Sequence, residues 1–301
     1  MGNDVASRLL LAGLVDYAGL FPPAAETMRE AVARYAEYRR SEHAWALGKF
    51  VVPVARLVEF EDAARPLAND DAWPLALIAG ADFGADVRVI GEFMQRSASL
   101  ATVSAIEVKG PTVAAIATIA ASAALLRAHS PGAIDIYVEV PVADDPTPLI
   151  EAIAAHGLRA KVRTGGVEAS AFPAAAQLAR FFATCNAHGV TFKATAGLHH
   201  AMRGSYPLTY ARDSARGTMF GFLNVFLAAL FAHEGLGAAE TTALLEERDA
   251  TSISFDASGV KWRGRFLSAE SIRRARGETA TSFGSCSFAE PLADLSTLGL
   301  L

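Results

Sequence analysis

Short runs of β-branched and apolar residues alternate with Ala-rich helical segments along nearly the whole chain. "GLVDYAG" (13–19), "GKFVVPV" (48–54), "PLALIAG" (74–80), "SAIEVKG" (104–110), "IDIYVEVPV" (134–142), "LRAKVRTGG" (158–166) and "VTFKATAG" (190–197) read as strands. Residues 25–40, 58–68, 84–97, 111–129, 146–156 and 173–187 read as the helices between them. A strand-then-helix unit recurring about every 30 residues is how right-handed crossovers build a parallel sheet. Seven units leave room for an eighth, and "TSFGSCSF" (281–288), followed by the helical "AEPLADLSTLGLL", fills it. The pattern predicts an α/β fold, a (β/α)8 TIM barrel, with residues 1–301 forming one domain.

Between strands seven and eight lies an insertion at about 203–280. Within it "TSISFDASGVKWRG" (251–264) reads as a β-hairpin, and "SAESIRRARG" (268–277) as a helix with Ser268 at its N-cap and Gly277 at its end. The apolar "MFGFLNVFLAALFA" (219–232), interrupted by Asn224, is too short for a membrane span and reads as a buried helix. "RLLLAGLV" (8–15) lacks the basic flank and cleavage site of a signal peptide, so a cytoplasmic protein is expected.

A hydrophobic content of 52% suits a sheet covered on both faces. The net charge of −5, without a basic run, argues against nucleic acid or an anionic membrane as partner and favours a small molecule. A homo-oligomer is left open. Cys185 and Cys286 show no metal-ligand spacing and read as free thiols of a reducing compartment.

Catalytic groups of such barrels sit at the C-terminal ends of the strands. Asp16, Glu107, Lys109, Glu139, Lys161, Arg163 and Lys193 fall there, each near the end of an otherwise apolar strand. Alternation puts Glu107 and Lys109 on one face, and Lys161 with Arg163. Charges in such strands are costly unless they are paired or face the mouth, so a purely structural ion-pair network is the competing account.

The lysines sharpen the choice. The chain has five, at 49, 109, 161, 193 and 261, against 22 arginines. Arginine keeps its proton in a protein, whereas lysine can lose it, and only a neutral amine attacks a carbonyl to form a Schiff base. An ordinary lysine, with a pKa of about 10.4, must fall by roughly 3, about 4 kcal/mol, to act as a nucleophile at neutral pH. A second cation about 4–5 Å away supplies on the order of 3–4 kcal/mol at an effective dielectric near 20. Lys161, in "KVRTGG", and Lys193, in "FKATAG", lie on consecutive strands and are placed to be that pair.

At these residues the sequence resembles the deoxyribose-phosphate aldolase family of class I, Schiff-base aldolases, which are (β/α)8 barrels. "KVRTGG" resembles the family's nucleophile strand through Lys161, Thr164 and Gly165. "FKATAGL" resembles its second lysine motif through Lys193 and Gly197, with the two lysines 32 residues apart. "LVDYAGLFPPAAETMREAV" resembles the opening strand and helix, with Asp16 at the family's aspartate, and "KFVVPVARL" resembles the second strand. "SAIEVKG" puts Glu107 at the proton-relay position, and "SFGSCS", with Gly284 and Ser285, resembles the closing turn. The resemblance implies a nucleophile at Lys161, a pKa-lowering cation at Lys193, proton transfer by Glu107 with Asp16, and no metal or organic cofactor. Arg163 stands where the family has serine, Glu107 where it has aspartate, and "AGLHH" where a second glycine belongs. These departures point away from deoxyribose phosphate toward another small carbonyl substrate, without the phosphate or with it held differently.

Lys109, Glu139, Arg163, Thr164, Gly197, His199, His200, Gly284 and Ser285 are the candidate substrate contacts. Glu139 reads either as part of the lysine network or as a partner of Arg163. His199 and His200 suggest an alternative, a metal-dependent barrel hydrolase or lyase, although neighbours on an extended segment point apart. "LFPP" could line the site or simply form a rigid turn, and Ser285-Cys286-Ser287 offers N–H and hydroxyl groups to an anion. The third alternative is a non-catalytic ligand-binding barrel that keeps an aldolase scaffold.

Overall fold

The computed structural model describes residues 5–68, 71–128, 130 and 132–301. Seven barrel strands come in order: β1 (Val15–Tyr17), β2 (Leu47–Pro53), β3 (Trp73–Ile78), β4 (Ala101–Lys109), β5 (Asp135–Glu139), β6 (Arg159–Arg163) and β7 (Phe192–Thr195). The insertion contributes β8 (Gly204–Pro207), β9 (Arg216–Met219), β10 (Ile253–Asp256), β11 (Gly259–Trp262) and β12 (Arg265–Ser268) before β13 (Ala280–Ser285). β13 pairs in parallel with both β7 and β1, closing an eight-stranded (β/α)8 barrel.

The helices are α1 (Val5–Leu11), α2 (Met28–Tyr38), α3 (Leu57–Ala64), α4 (Phe83–Arg96), α5 (Val113–Arg127), α6 (Thr147–Ala155), α7 (Ala175–Ala187), α8 (Phe222–His233), α9 (Ala238–Leu245), α10 (Ala269–Glu278) and α11 (Ala289–Thr297). The end of the expected 111–129 helix, at 129, lies outside the described residues. Local chemistry sets several starts. Thr27 Oγ1 accepts from Glu30 N while the Glu30 carboxylate accepts from Thr27 N, a reciprocal cap on α2. Asp82, Thr112 and Ser268 cap α4, α5 and α10 in the same way with one bond each. Gly277 lies inside α10 instead of ending it, because the helix runs on until Thr279 bonds back to Ala275. Among the described residues no helix is long and apolar enough to cross a membrane.

The barrel has two different faces. Outside, the strands and helices bury large rings, with Tyr35, Phe50, Phe60, Trp73 and Phe93 packed edge to face or stacked. Inside, Ala18, Val51, Ala76, Ala105 and Tyr137 form a separate small apolar cluster. Beside it the interior carries buried charges, Asp16, Glu107, Lys161 and Lys193.

The insertion differs from its expected form in two respects. A third strand, β12, pairs with β11, so the expected hairpin is a three-stranded sheet, and β8–β9 form an additional hairpin. α8 is buried from Phe222 to Phe231 because α7, α9 and β13 surround it, with Phe222 and Phe226 on Phe283. Asn224, the polar break in that run, is fully buried and satisfied: it accepts from Arg203 N and donates to Leu244 O and Glu247 O. The β10–β12 sheet and α10 pack on α1. The bulk of the insertion therefore braces the outside of the barrel instead of roofing its mouth.

Candidate active site

Register builds the site first. Lys109 lies opposite Glu139, Glu139 opposite Lys161, and Lys161 opposite Lys193, one row across β4 to β7. In-register neighbours on parallel strands share a face, so this row looks into the barrel. Glu107, two residues before Lys109, is one layer deeper on the same face. Asp16 enters from β1, where Gly48 leaves it room: a Cβ at Gly48 would stand 2.3 Å from Asp16 Oδ1. That oxygen accepts from Lys49 N at 2.7 Å, and Oδ2 accepts from Ser282 Oγ at 2.7 Å.

The four residues expected to carry the chemistry meet, and Glu139 joins them. Lys193 Nζ is 2.8 Å from Asp16 Oδ2 and 2.6 Å from Glu107 Oε1. Lys161 Nζ is 2.8 Å from Glu107 Oε2 and 3.0 Å from Glu139 Oε2. The groups form a chain of alternating sign, Asp16, Lys193, Glu107, Lys161, Glu139. The two lysines are neighbours as expected, but they are not a bare cation pair, because one carboxylate bridges both amines.

The electrostatics follow from that chain. Burial alone pushes the Glu107 carboxyl up, yet the charges of Lys193 and Lys161 outweigh it and bring it to about 2. Burial likewise works against Asp16, and Lys193 and Lys49 overcome it, holding the carboxyl below the usual aspartate value. Burial works against the Lys193 charge as well, but Asp16 and Glu107 hold its ammonium well above the usual lysine value. Lys193 also lies 5.7 Å from the centre of the Tyr137 ring.

Above the chain a cavity of about 420 Å³ opens at the C-terminal ends of the strands. Glu107, Lys109, Glu139, Lys161, Arg163, Gly197, His199 and Gly284 line it. Phe21, Pro22, Pro23, Val51 and Ile78 give it an apolar wall, so "LFPP" does edge the site. Asp16 and Lys193 lie beneath it, both fully buried. Glu139 belongs to the lysine network and not to Arg163.

Thr164, His200 and Ser285, expected at the substrate, do not line this cavity. Thr164 is fully buried, and its Oγ1 donates to Ala196 O at 2.6 Å. Gly165 and Gly197 meet under the Phe172 ring, where a Cβ on either would come within 3 Å of ring carbons. The Thr/Gly turn after each lysine is thus one half of a nested pair that fixes the ends of β6 and β7 together. Ser285 is buried in the turn, its hydroxyl accepting from Ser287 N.

The two histidines diverge. His199 Nδ1 lies 3.0 Å from Glu290 Oε2, while His200 Nδ1 lies 3.2 Å from Asp294 Oδ2 and its ring stacks on Tyr206 at 3.6 Å. Among the described residues no group of three or more His, Cys, Asp or Glu side chains is placed to hold a metal ion. Burial disfavours a charged His199, but contacts with Cys286 and Glu290 outweigh it and raise the imidazole to about 9. Tyr210, from the β8–β9 hairpin, donates to Glu290 at 2.9 Å and lies 3.5 Å from Cys286 Sγ.

Sequence reasoning missed Tyr137, Ser282, Tyr210, Glu290 and Asp294. Tyr137 stands two residues before Glu139, and Ser282 two before Gly284, so same-face alternation from a chosen site residue finds both. Glu290 and Asp294 share one face of α11, but which groups they meet depends on the tertiary fold. No family model, no curated protein and no solved structure matches the chain.

Proposed function

We propose that the chain is a Schiff-base-forming lyase that makes or cleaves a carbon–carbon bond of a small carbonyl substrate, with Lys161 as nucleophile. A (β/α)8 barrel with charged groups at its C-terminal end is a frequent enzyme scaffold. One observation carries the assignment. Lys161 alone combines an amine at the cavity with two carboxylates in contact, whereas Lys193 is sealed beneath and Lys109 has no carboxylate partner among the described residues.

The proton inventory fits. Lys161 passes a proton to Glu139, the more exposed of its two partners. The free amine adds to the carbonyl, and Glu139 returns its proton to the carbinolamine hydroxyl, which leaves as water. Ammonium plus carbonyl gives iminium plus water, with no net proton change. Glu107, held ionised, faces the iminium charge and keeps it compensated, while Lys193 and Asp16 fix Glu107 in place. The bond between the α and β carbons then breaks, its electrons flowing into the iminium to give an enamine, while the β-hydroxyl passes its proton to the Glu139 carboxylate, free again after water has left, and the second fragment departs as a carbonyl. The imidazolium of His199 lies on the cavity wall, and its Nε2 has no partner among the described residues, so it is available to hydrogen-bond that fragment's oxygen.

The same ion pairs also suit a non-catalytic binding barrel, because two carboxylates hold the resting Lys161. Borohydride reduction with a panel of small aldehydes and ketones, followed by peptide mass mapping, separates the two. The lyase reading expects a reduced adduct on Lys161. An adduct only on Lys193 or Lys109 would overturn the role assignment, and no adduct with any carbonyl would leave the binding barrel.

A further inference from the structure

A second cavity of about 550 Å³ adjoins the first, and Lys109, Glu139 and Arg163 line both. These residues form the boundary between a charged chamber and an apolar one, whose walls include Val140, Val142 and Phe172. Glu139 is engaged by Lys161. Lys109 and Arg163 are exposed and have no ion-pair or hydrogen-bond partner among the described residues. The chain of ion pairs beside them, from Asp16 through Lys193, Glu107 and Lys161 to Glu139, pairs its own charges and contacts neither side chain. Two free cations on the ceiling of a site are an anion receptor.

We infer that Lys109 and Arg163 form a carboxylate subsite, so that the carbonyl substrate is an oxo acid whose remaining substituent extends into the apolar chamber. This rests on the Schiff-base reading for the carbonyl but not for the anion. The choice of carboxylate over phosphate comes from the loops. Phosphate sites rely on several converging backbone N–H groups. Here the boundary is flanked by Pro111, Pro141 and Pro173, three positions that carry no N–H. The N–H groups of Val140, Ala171 and Phe172 are spent on carbonyls, so the charged donors at this boundary are a planar guanidinium fork and one ammonium, which match a singly charged, planar carboxylate.

Calorimetry on the full chain with hexanoate, hexan-1-ol and hexyl phosphate tests the subsite. None of these probes has a carbonyl, so the result does not depend on Lys161 chemistry. Hexanoate is expected to bind at least tenfold more tightly than hexan-1-ol and more tightly than hexyl phosphate. That acid-to-alcohol ratio should fall at least fivefold in Arg163→Gln and in Lys109→Met, and less in Arg163→Lys. In the unaltered chain, raising salt from about 0.05 to 0.5 M should weaken hexanoate and spare hexan-1-ol, because an exposed ion pair is screened. Equal affinity for acid and alcohol, a ratio unchanged in both variants, or a tenfold preference for hexyl phosphate would each overturn the subsite. Borohydride trapping with 4-oxobutanoate against butanal completes the test. Acid-selective binding without any adduct would keep the subsite and remove the Schiff-base reading, whereas adducts formed equally with both would do the reverse.

Discussion

Lys161 and Lys193 stand opposite one another on adjacent strands, each held by two carboxylates, yet their surroundings differ in the one respect that decides chemistry. Lys193 is fully buried between Asp16 and Glu107 and does not line the cavity. Lys161 touches the cavity and pairs with Glu139, which is itself partly exposed. A buried ion pair is a poor source of stability, since desolvation offsets most of the attraction, but removing one partner leaves an uncompensated charge. The floor is thus a sealed set of ion pairs, and the layer above it is the part that meets the cavity.

The largest expected contrast is in activity. Lys161→Met should abolish borohydride-trappable adducts and lower the rate by on the order of 10³-fold or more, with the fold intact. Lys193→Arg should retain more activity than Lys161→Arg, because the cation beneath Glu107 survives. Equal and complete loss in both arginine variants would mean that Lys193 has chemistry of its own.

The next contrast is in stability. Lys193→Met strands Asp16 and Glu107 without their shared cation, and should cost about 3–5 kcal/mol in denaturant unfolding. Lys161→Met leaves Glu107 paired to Lys193 and Glu139 facing the cavity, so the cost should be under about 2 kcal/mol. Similar losses in the two variants would erase the distinction between the sealed floor and the layer that meets the cavity.

Much of this architecture was legible in the sequence, and the reasons are physical. Parallel strands buried on both faces must be short apolar runs, so a charge at the end of one stands out, and Asp16, Glu107, Glu139, Lys161 and Lys193 all did. The partner list was not legible. Asp16 meets Lys193 across 177 residues because β13 closes the barrel between β1 and β7, and that closure brings Ser282 to Asp16 as well. Glu107 bridging two amines depends on side-chain length one layer below the lysine row, which no spacing rule encodes. Thr164 and Ser285 were chosen because the turns that hold them resemble family motifs, but backbone groups of the turns claim their hydroxyls. The β8–β9 hairpin was hidden by short, polar strands with Pro207 at one end, which give no alternating signal.

A smaller effect comes from Glu107 titration. Its folded value of about 2 lies below the ordinary 4.5, so its contribution is fully present above about pH 4.5 and is lost as pH falls toward 2. Glu107→Gln should flatten the acid limb of stability in that window. Lys193 has the opposite sign: its raised value gives stability that is present below the ordinary lysine pKa of 10.5 and lost only at still higher pH. Urea midpoints between pH 2 and 5 check the first claim, and an unchanged acid limb in the glutamine variant would show that Glu107 is not the bridge between the amines.

The last effect belongs to the cavity wall, where His199 meets Glu290 while Cys286 and Tyr210 crowd the same carboxylate and ring. The folded imidazole titrates at about 9 against an ordinary 6.5, so the pair stabilises fully below pH 6.5, and the benefit disappears as pH rises through 9. His199→Gln should therefore be less stable than the parent at pH 6 and draw level near pH 9.5. The glutamine keeps a hydrogen bond to Glu290 within reach, so the comparison isolates charge from contact. Thermal melts at pH 6, 7.5 and 9.5 decide it, with Cys286→Ala in parallel so that ionisation of the thiol does not imitate the trend. A gap that stays constant across all three pH values would mean that His199 acts on this wall by packing alone, and that no imidazolium is there to hydrogen-bond the second fragment's oxygen.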